Sequence, residues 1–303
     1  MVSGVLGIIA CPMLEDELLH SLLCDSEEKE VWVIDDEHAE AFRGMADRRG
    51  LVYRLATRRD FYRDGIPFDR SKFNVVIQFN DLALHKDPKE LREKIERQVA
   101  EIQPHIDALG LYYGMCGNFG WDVSEWADRQ GFKPVCVFRD MNGMVCDDCV
   151  GVAIGGGRRY TDLTKRYTGM LYLTPAIASN WEVFTGAMDG MGDIEQMDPS
   201  VKEYFGITDS KSYIRWMMSI AGYEYGLKID TGLEESEEKY EADCASALEQ
   251  LNLKPLDIEE GWVTLQPADD IYAECKRNLA GKGPIPPADM GGRHSAGSRQ
   301  RTF

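Results

Sequence analysis

Residues 5–23 have the sequence VLGIIACPMLEDELLHSLL, and this stretch decides the fold that the remaining chain must fit. Its first part, Val5–Ala10, is a continuous apolar run, which is typical of a strand buried on both faces. Leu14–Leu23 follows with apolar residues at helical spacing. A buried strand that leads directly into a helix is the repeating unit of a parallel α/β sheet.

The same alternation continues for most of the first 180 residues. Further strands are predicted at Val31–Ile34, Val75–Gln78, Leu109–Tyr113, Pro134–Phe138 and Met170–Leu173, with helices between them. We therefore predict an α/β fold whose parallel sheet has about six strands and is covered by helices on both faces. Beyond this region helical segments dominate, with candidate strands only at Tyr225–Ile229 and Trp262–Leu265.

Composition divides the chain into three parts. We predict an α/β domain over residues 1–185, a mostly helical part over residues 186–278, and a basic tail rich in Gly and Pro over residues 279–303. A tail of this composition is expected to be disordered on its own, although it could fold onto the acidic body or onto a neighbouring subunit of a homo-oligomer.

The charge balance and hydropathy limit the classes of function. A net charge of −18 disfavours binding to nucleic-acid phosphates or to an anionic membrane surface. The sequence contains no apolar run long enough to cross a bilayer, and its first residues lack the basic start of a secretory signal. These features predict a cytoplasmic protein that binds neither nucleic acid nor a membrane.

Eight cysteines in such a chain point away from a disulfide framework. The alternatives are metal binding, reactive thiols and plain core packing, since free cysteine is among the most buried residue types. The motif Cys146-x-x-Cys149 is by itself compatible with thiol redox chemistry, with half of a metal site or with chance.

Ligands of open parallel sheets bind beyond the carboxyl ends of the strands, so the residues that follow each predicted strand are candidates for a site. Cys11 follows the first strand directly, and Cys116 lies in the loop after the fourth. His85 comes shortly after the third strand, and Cys149 follows the fifth through a longer loop. Three cysteines and one histidine are a competent ligand set for zinc, and thiolates also suit an iron–sulfur cluster.

Several polar residues near the same edge are candidates for binding substrate. Three of them follow predicted strands, namely Asn118, Arg139 and Thr174. Arg158 and Arg159 follow three glycines and are suited to hold a carboxylate or phosphate, although a flexible turn explains them equally well. No residue is assigned a catalytic role.

Several stretches together resemble an uncharacterised domain-of-unknown-function family of methanogens and bacteria, often encoded beside corrinoid-dependent methyltransferases. The motifs that carry the resemblance span residues 5–185: IIAC at 8–11 followed by Glu17, LH at 84–85, YGMCGN at 113–118, DC at 148–149 and LYLTP at 171–175. The resemblance assigns Cys11, His85, Cys116 and Cys149 to the motif positions of the family.

This chain departs from the family pattern at two places. The family commonly has Pro-Arg-x-His-Asp-Cys, whereas here a longer loop follows Arg139 and Asp147 stands where the histidine would be. The family segment Thr-Pro-Gly-Trp continues here as Thr174-Pro175-Ala176-Ile177. We therefore expect metal or ligand preferences that differ from those of relatives.

The resemblance implies a setting in corrinoid-linked one-carbon metabolism, with a methyl-carrying substrate and a corrinoid protein as the partner. The leading hypothesis is a metal-binding protein, such as a metal-dependent methyltransferase or demethylation enzyme, with zinc as the metal and an iron–sulfur cluster or a corrinoid supplied by a partner as alternatives. A second hypothesis is a non-enzymatic accessory that carries metal or binds a corrinoid protein. A third is a thiol redox protein that uses Cys146 and Cys149.

Overall fold

The computed structural model describes residues 2–82, 84, 87–182 and 191–281, and these residues form two parallel β-sheets. The larger sheet has six strands and the smaller has three. In chain order the strands are β1 (Gly4–Ala10), β2 (Glu30–Ile34), β3 (Arg54–Ala56), β4 (Phe73–Phe79), β5 (Ala108–Tyr112), β6 (Val135–Val137), β7 (Met170–Leu173), β8 (Tyr225–Lys228) and β9 (Lys254–Asp257). The larger sheet has the strand order β3-β2-β4-β1-β5-β6, and the smaller has the order β7-β8-β9.

Helices connect these strands and follow them. Among the described residues they are α1 (Glu15–Cys24), α2 (Glu40–Arg48), α3 (Pro88–Ile102), α4 (Val123–Arg129), α5 (Cys149–Ile154), α6 (Gly157–Arg166), α7 (Pro175–Ser179), α8 (Met191–Gln196), α9 (Pro199–Phe205), α10 (Ser210–Ile220), α11 (Glu237–Leu251) and α12 (Gln266–Leu279). The predicted α/β fold with a parallel six-stranded sheet and a helical C-terminal part is confirmed.

Two glycines show that both faces of the larger sheet are covered. A Cβ atom on Gly7 of β1 would lie 2.8 Å from Ile106, which follows α3. A Cβ atom on Gly110 of β5 would lie 3.2 Å from the Cys275 Sγ of α12. Gly110 pairs with Ile8, so a Cβ atom on Gly110 would lie on the same face of the sheet as the Ile8 side chain. Gly7 precedes Ile8 in β1, and its Cβ atom would lie on the other face because side chains alternate along a strand. α3 and α12 therefore lie on opposite faces of the sheet.

The chain reverses its direction of travel across the sheet at β1. From β1 it moves outward to β2 and β3, and from β4 it crosses back past β1 to β5 and β6. Loops that leave neighbouring strands at such a point diverge to opposite faces and open a crevice at the carboxyl edge of the sheet. That edge of β1 and β5 is therefore where the fold favours a ligand site.

One strand of the larger sheet differs from the prediction. Met170–Leu173 is a strand, but as β7 it belongs to the smaller sheet. The sixth place in the larger sheet is taken by β3, a three-residue edge strand. Its Leu55 side chain is about half exposed, so β3 contains no buried apolar run that sequence patterning can detect.

The C-terminal part contains strands as well as helices. Tyr225–Lys228 confirms one candidate strand, whereas the candidate at Trp262–Leu265 is wrong because those residues are irregular and the strand of that region is Lys254–Asp257. The smaller sheet pairs β7 with β8 and thus joins residues from both sides of position 185. The division into parts at residues 185 and 278 stays a prediction, and the tail over residues 282–303 lies outside the described residues.

Among the described residues, no helix has the length and apolar character needed to cross a membrane.

The sequence patterns did not single out α12, which packs on β1, β5 and β6. Its Ile271 side chain is 1% exposed. We expect Ile271→Ala to lower the free energy of unfolding by about 2–4 kcal/mol, measured by urea denaturation, because it leaves a cavity against the central strands. The matched control is Ile220→Ala, in which the same substitution is made at a side chain that is 63% exposed. Equal stability of the two variants would contradict a core role for α12.

Candidate functional site

Cys11 extends the pairing of the two central strands by one residue. Its N–H donates to the Tyr112 carbonyl oxygen at 3.0 Å, and its side chain is 2% exposed. Pro12–Leu14 then turns into α1, with Cys11 at the N-cap position of this 3₁₀ turn. The chain thus places a buried thiol directly at the carboxyl edge of β1.

The loop after β5 is fastened to the loop that precedes α5. Met115 N–H donates to the Cys146 carbonyl at 3.1 Å, and Cys116 N–H donates to the Asp147 carbonyl at 2.7 Å. This approach requires glycine at position 114, since a Cβ atom there would lie 2.5 Å from Asp148 Cα. The fastening carries Cys116 toward the segment that contains Cys149.

Cys116 occupies a left-handed backbone conformation with φ 47°. For a non-glycine residue this conformation costs roughly 1–2 kcal/mol. Because backbone strain of this kind clusters at active sites and ligand-binding segments, Cys116 is a candidate functional residue.

Asp148 fixes the start of α5 and hence the position of Cys149. Its Oδ1 accepts from the Gly151 N–H at 2.8 Å and thereby caps the helix. Its Oδ2 accepts from the Tyr160 hydroxyl at 2.7 Å. Burial raises the pKa of the Asp148 carboxyl, whereas these hydrogen bonds lower it.

The three cysteines line one large cavity, with a volume of about 840 Å³. Loops that follow the carboxyl ends of β1, β4 and β5 line part of it, and residues of β7 and α10 line another part. Apolar and aromatic side chains predominate among the lining residues: Met13, Leu14, Leu82, Val150, Tyr160, Met170, Leu171, Tyr172, Ile177, Ile214, Met217, Met218, Ile220 and Tyr223. Asp148 is the one charged residue among those that the structure describes in this lining.

The three thiols influence one another electrostatically. Burial is the main cause that raises the pKa of Cys11, and the charge of Cys149 raises it further. Burial likewise raises the pKa of Cys116, with Cys11 next. The pKa of Cys149 is raised mainly by burial and further by the charges of Asp148, Cys116 and Glu17. Each of the named charges thus favours the neutral thiol over the thiolate.

Three buried acidic side chains lie in the first turn of α1, directly after Cys11 and its 3₁₀ turn. Glu17 in the first turn of α1 is buried, and its Oε2 has no hydrogen-bond partner among the described residues. Burial, together with the charges of Asp16 and Glu15, raises the pKa of Glu17 to about 8. Burial also raises the pKa of Glu15 to about 8 and that of Asp16 to about 7. Near neutral pH these carboxyls therefore hold their protons for a large part of the time.

The donor chemistry of the three thiols suits a soft cation, but their side chains do not surround a common centre. Within the part of the chain that the structure describes, no three His, Cys, Asp or Glu side chains are placed as ligands of one metal ion. His85, the predicted fourth ligand, lies outside the described residues. Metal binding by Cys11, His85, Cys116 and Cys149 therefore stays a prediction.

Two of the three arginines predicted to bind substrate make structural contacts away from the cavity lining. Arg139 donates to Asp122 and to Ser124 at 2.7 Å each and so fastens its hairpin to α4. Arg159 donates to the Ile154 carbonyl, and further to the carbonyls of Gly261 and Trp262.

Arg158 extends into solvent, and its guanidinium lies 3.8 Å from the Asp162 carboxylate. Asn118 donates to the Pro88 carbonyl at 2.7 Å, and Thr174 is buried as the N-cap of α7. None of these side chains belongs to the described lining of the cavity, and a substrate role for them stays a prediction.

Cys146 and Cys149 are both free thiols in the structure. Cys146 is fully buried and does not line the cavity, and its Sγ would lie 2.7 Å from a Cβ atom on Gly156. Thiol redox chemistry at this pair stays an alternative prediction.

Sequence patterning did not identify the outer wall of the cavity. Ile214, Met217, Met218 and Ala221 line it from α10 and from the residue that follows. Their spacing of three and four residues is the signature of an amphipathic helix, so the apolar face was detectable although its partner was not. Tyr172 and Tyr223, which also line the cavity, carry no local pattern that distinguishes them from core aromatics.

A protein-family model described as "Protein of unknown function (DUF1638)" matches residues 79–268, which is more than half of the chain. The chain belongs to this family. The DUF1638 match includes Cys116 and Cys149 but begins after Cys11, and it extends past residue 185 across both later strands of the smaller sheet. Comparisons with curated proteins and with solved structures gave no match.

The close approach at Gly114 gives a direct test of the loop arrangement. We expect Gly114→Ala to destabilise the protein by about 1–3 kcal/mol, since the new methyl group must push the backbone at Asp148 away. Thermal unfolding followed by circular dichroism measures the effect. The control is Gly151→Ala in α5, where the nearest contact of a Cβ atom is an ordinary 3.6 Å. If Gly114→Ala matched this control, the close approach would not exist.

Buried Glu17 predicts a pH dependence of stability. Its folded-state pKa of about 8 exceeds the ordinary value of 4.5, so over that interval the folded state binds a proton that the unfolded state has lost. Stability should therefore fall as the pH rises from 4.5 to 8, by up to about 1.4 kcal/mol per pH unit for this group.

Glu17→Gln should flatten this slope by about one proton, as measured by urea unfolding at several pH values. Glu101→Gln, which replaces an exposed carboxyl, serves as the control and should leave the slope as it is in the original protein. An unchanged slope in Glu17→Gln would show that the Glu17 carboxyl is not held protonated.

Proposed function

We propose that this protein binds a soft metal ion, with zinc as the first candidate, and serves in corrinoid-linked methyl-group transfer. Cys11, Cys116 and Cys149 would hold the ion after their side chains turn toward a common centre, with His85 as the fourth ligand. The observation that carries the proposal is that three thiols from three separate loops line one cavity at the carboxyl edge of the central strands.

The electrostatics of the site support a cation more than any other occupant. The thiols raise one another's pKa, and Asp148 and Glu17 raise it further. Each of these interactions opposes a negative charge at the site. A bound metal ion reverses that sign, because its charge stabilises thiolates at neutral pH.

When bound, the metal supplies a positive charge that holds thiolate sulfur in its nucleophilic form. The protein's own residues do the remaining work. Asp148 fixes the first turn of α5 and hence the direction of the Cys149 side chain. The apolar walls surround the thiols and leave space for a bulky methyl-carrying substrate. The corrinoid protein is the proposed partner, and this part of the proposal depends on the resemblance to DUF1638 relatives.

The non-enzymatic alternative depends on how many protein ligands the metal accepts. If all four side chains bind, the site is closed, which favours a structural or carrier role. An open coordination position beside the cavity favours catalysis. The size of the cavity next to the thiols makes the catalytic version our first choice.

Metal analysis of protein purified without oxygen tests the proposal. We expect about one zinc ion per chain, or several irons if the occupant is a cluster, by plasma mass spectrometry. Cys116→Ser and Cys149→Ser should lose the metal, because a hydroxyl is a much poorer ligand for a soft ion than a thiolate.

The matched control is Cys24→Ser, which removes an exposed thiol outside the cavity. It should retain the full metal content. Protein without stoichiometric metal, or equal loss of metal from Cys24→Ser and Cys116→Ser, would refute a metal site at the cavity.

A further inference from the structure

One wall of the cavity combines a single carboxyl group with three tyrosines. Asp148 and Tyr160 come from the first turns of α5 and α6, Tyr172 lies in β7, and Tyr223 follows α10. All four line the same cavity. The arrangement is distinct from the three thiols, because none of these side chains is a soft metal ligand.

These four groups are close neighbours. The Tyr160 hydroxyl donates to Asp148 Oδ2 at 2.7 Å. The charge of Asp148 contributes to the raised pKa of both Tyr160 and Tyr172, after burial as the main cause. Tyr223 also raises the pKa of Tyr172. Tyr160 and Tyr172 are thus close enough to Asp148, and Tyr223 close enough to Tyr172, to influence one another electrostatically.

The Tyr172 ring is held in place by its hydroxyl. That hydroxyl donates to the Tyr167 carbonyl at 3.0 Å, so the polar end of the side chain is already satisfied within the protein. The aromatic part of Tyr172 is what remains for a ligand. A fixed aromatic ring binds a cation through its face without an entropic cost of ordering.

The remaining lining indicates which charge the ligand carries. Among the described residues that line the cavity there is no Lys, Arg or His, and four methionine thioethers add soft, polarisable surface. An anionic ligand would meet Asp148 without a compensating positive charge. The cavity of about 840 Å³ leaves space for an organic ligand beside the proposed metal ligands.

We propose that this wall binds a quaternary ammonium group, so that the substrate is a methylated organic cation. Tyrosine faces attract such a cation through their quadrupole, and the Asp148 carboxylate supplies the counter-charge. The binding of the cation is argued from the cavity lining alone. Its role as the methyl donor rests on the proposed function.

Isothermal titration calorimetry with matched probes tests the inference. Choline is the cationic probe, and 3,3-dimethylbutan-1-ol is its neutral analogue, with carbon in place of nitrogen. We expect choline to bind at least about tenfold more tightly than the alcohol, because the two differ only in charge. Glycine betaine should also bind more weakly than choline, since its carboxylate faces Asp148 without a basic partner in the described lining.

Variants of one tyrosine separate the ring from its hydroxyl. Tyr172→Leu should weaken choline binding by about fivefold or more and leave the affinity for the alcohol nearly unchanged, while Tyr172→Phe should retain choline binding. The matched control is Tyr225→Leu, which makes the same change on the neighbouring strand outside the cavity lining. Asp148→Asn keeps a side chain that can cap α5. It should weaken the binding of choline and leave the affinity for the neutral alcohol unchanged.

Equal affinity of choline and the alcohol would overturn the inference, as would the absence of choline binding or equal effects of Tyr172→Leu and Tyr225→Leu. The titrations use protein whose metal content has been measured. Choline binding without metal would therefore refute only the proposed metal site, and metal without choline binding would refute only the quaternary ammonium site.

Discussion

The backbone contact between Gly114 and Asp148 is the constraint on which the candidate site depends. Two loops that leave different strands can share a pair of backbone hydrogen bonds only if no side chain stands between them. Their contact sets the position of Cys116 and fixes where α5 begins. One residue without a Cβ atom thus brings together thiols that are more than thirty positions apart in sequence.

The fold was predictable wherever burial leaves a trace in local sequence. Val5–Ala10 is apolar at nearly every position because both of its faces are covered, and the pattern alone identified it. β3 has no such trace, since it is a short edge strand with an exposed leucine. α12 was missed because Ile271, Tyr272 and Cys275 are its few large buried side chains among polar neighbours, and only contact with the sheet explains them.

The site was predictable only in part, for a related reason. The rule that ligands bind at the carboxyl ends of parallel strands singled out Cys11, Cys116 and Cys149, and the structure places all three on one cavity. The rule does not describe what faces the sheet from across the cavity. It also suggested Arg139 as a substrate ligand, a role that stays a prediction, and the structure shows that its guanidinium binds Asp122 and Ser124. A charged side chain in a sequence does not disclose whether the protein itself already provides its partner.

The position of α12 has a consequence for how the chain emerges from the ribosome. The helix lies near the far end of the described sequence, yet it covers the strand with which the sheet begins. Until residues 266–279 have been synthesised, one face of β1 and β5 lacks this cover. Nascent chains with such uncovered apolar surface are prone to aggregate and depend on chaperones, and contacts between distant residues slow folding. Translation speed and chaperone supply should therefore influence the yield of this protein.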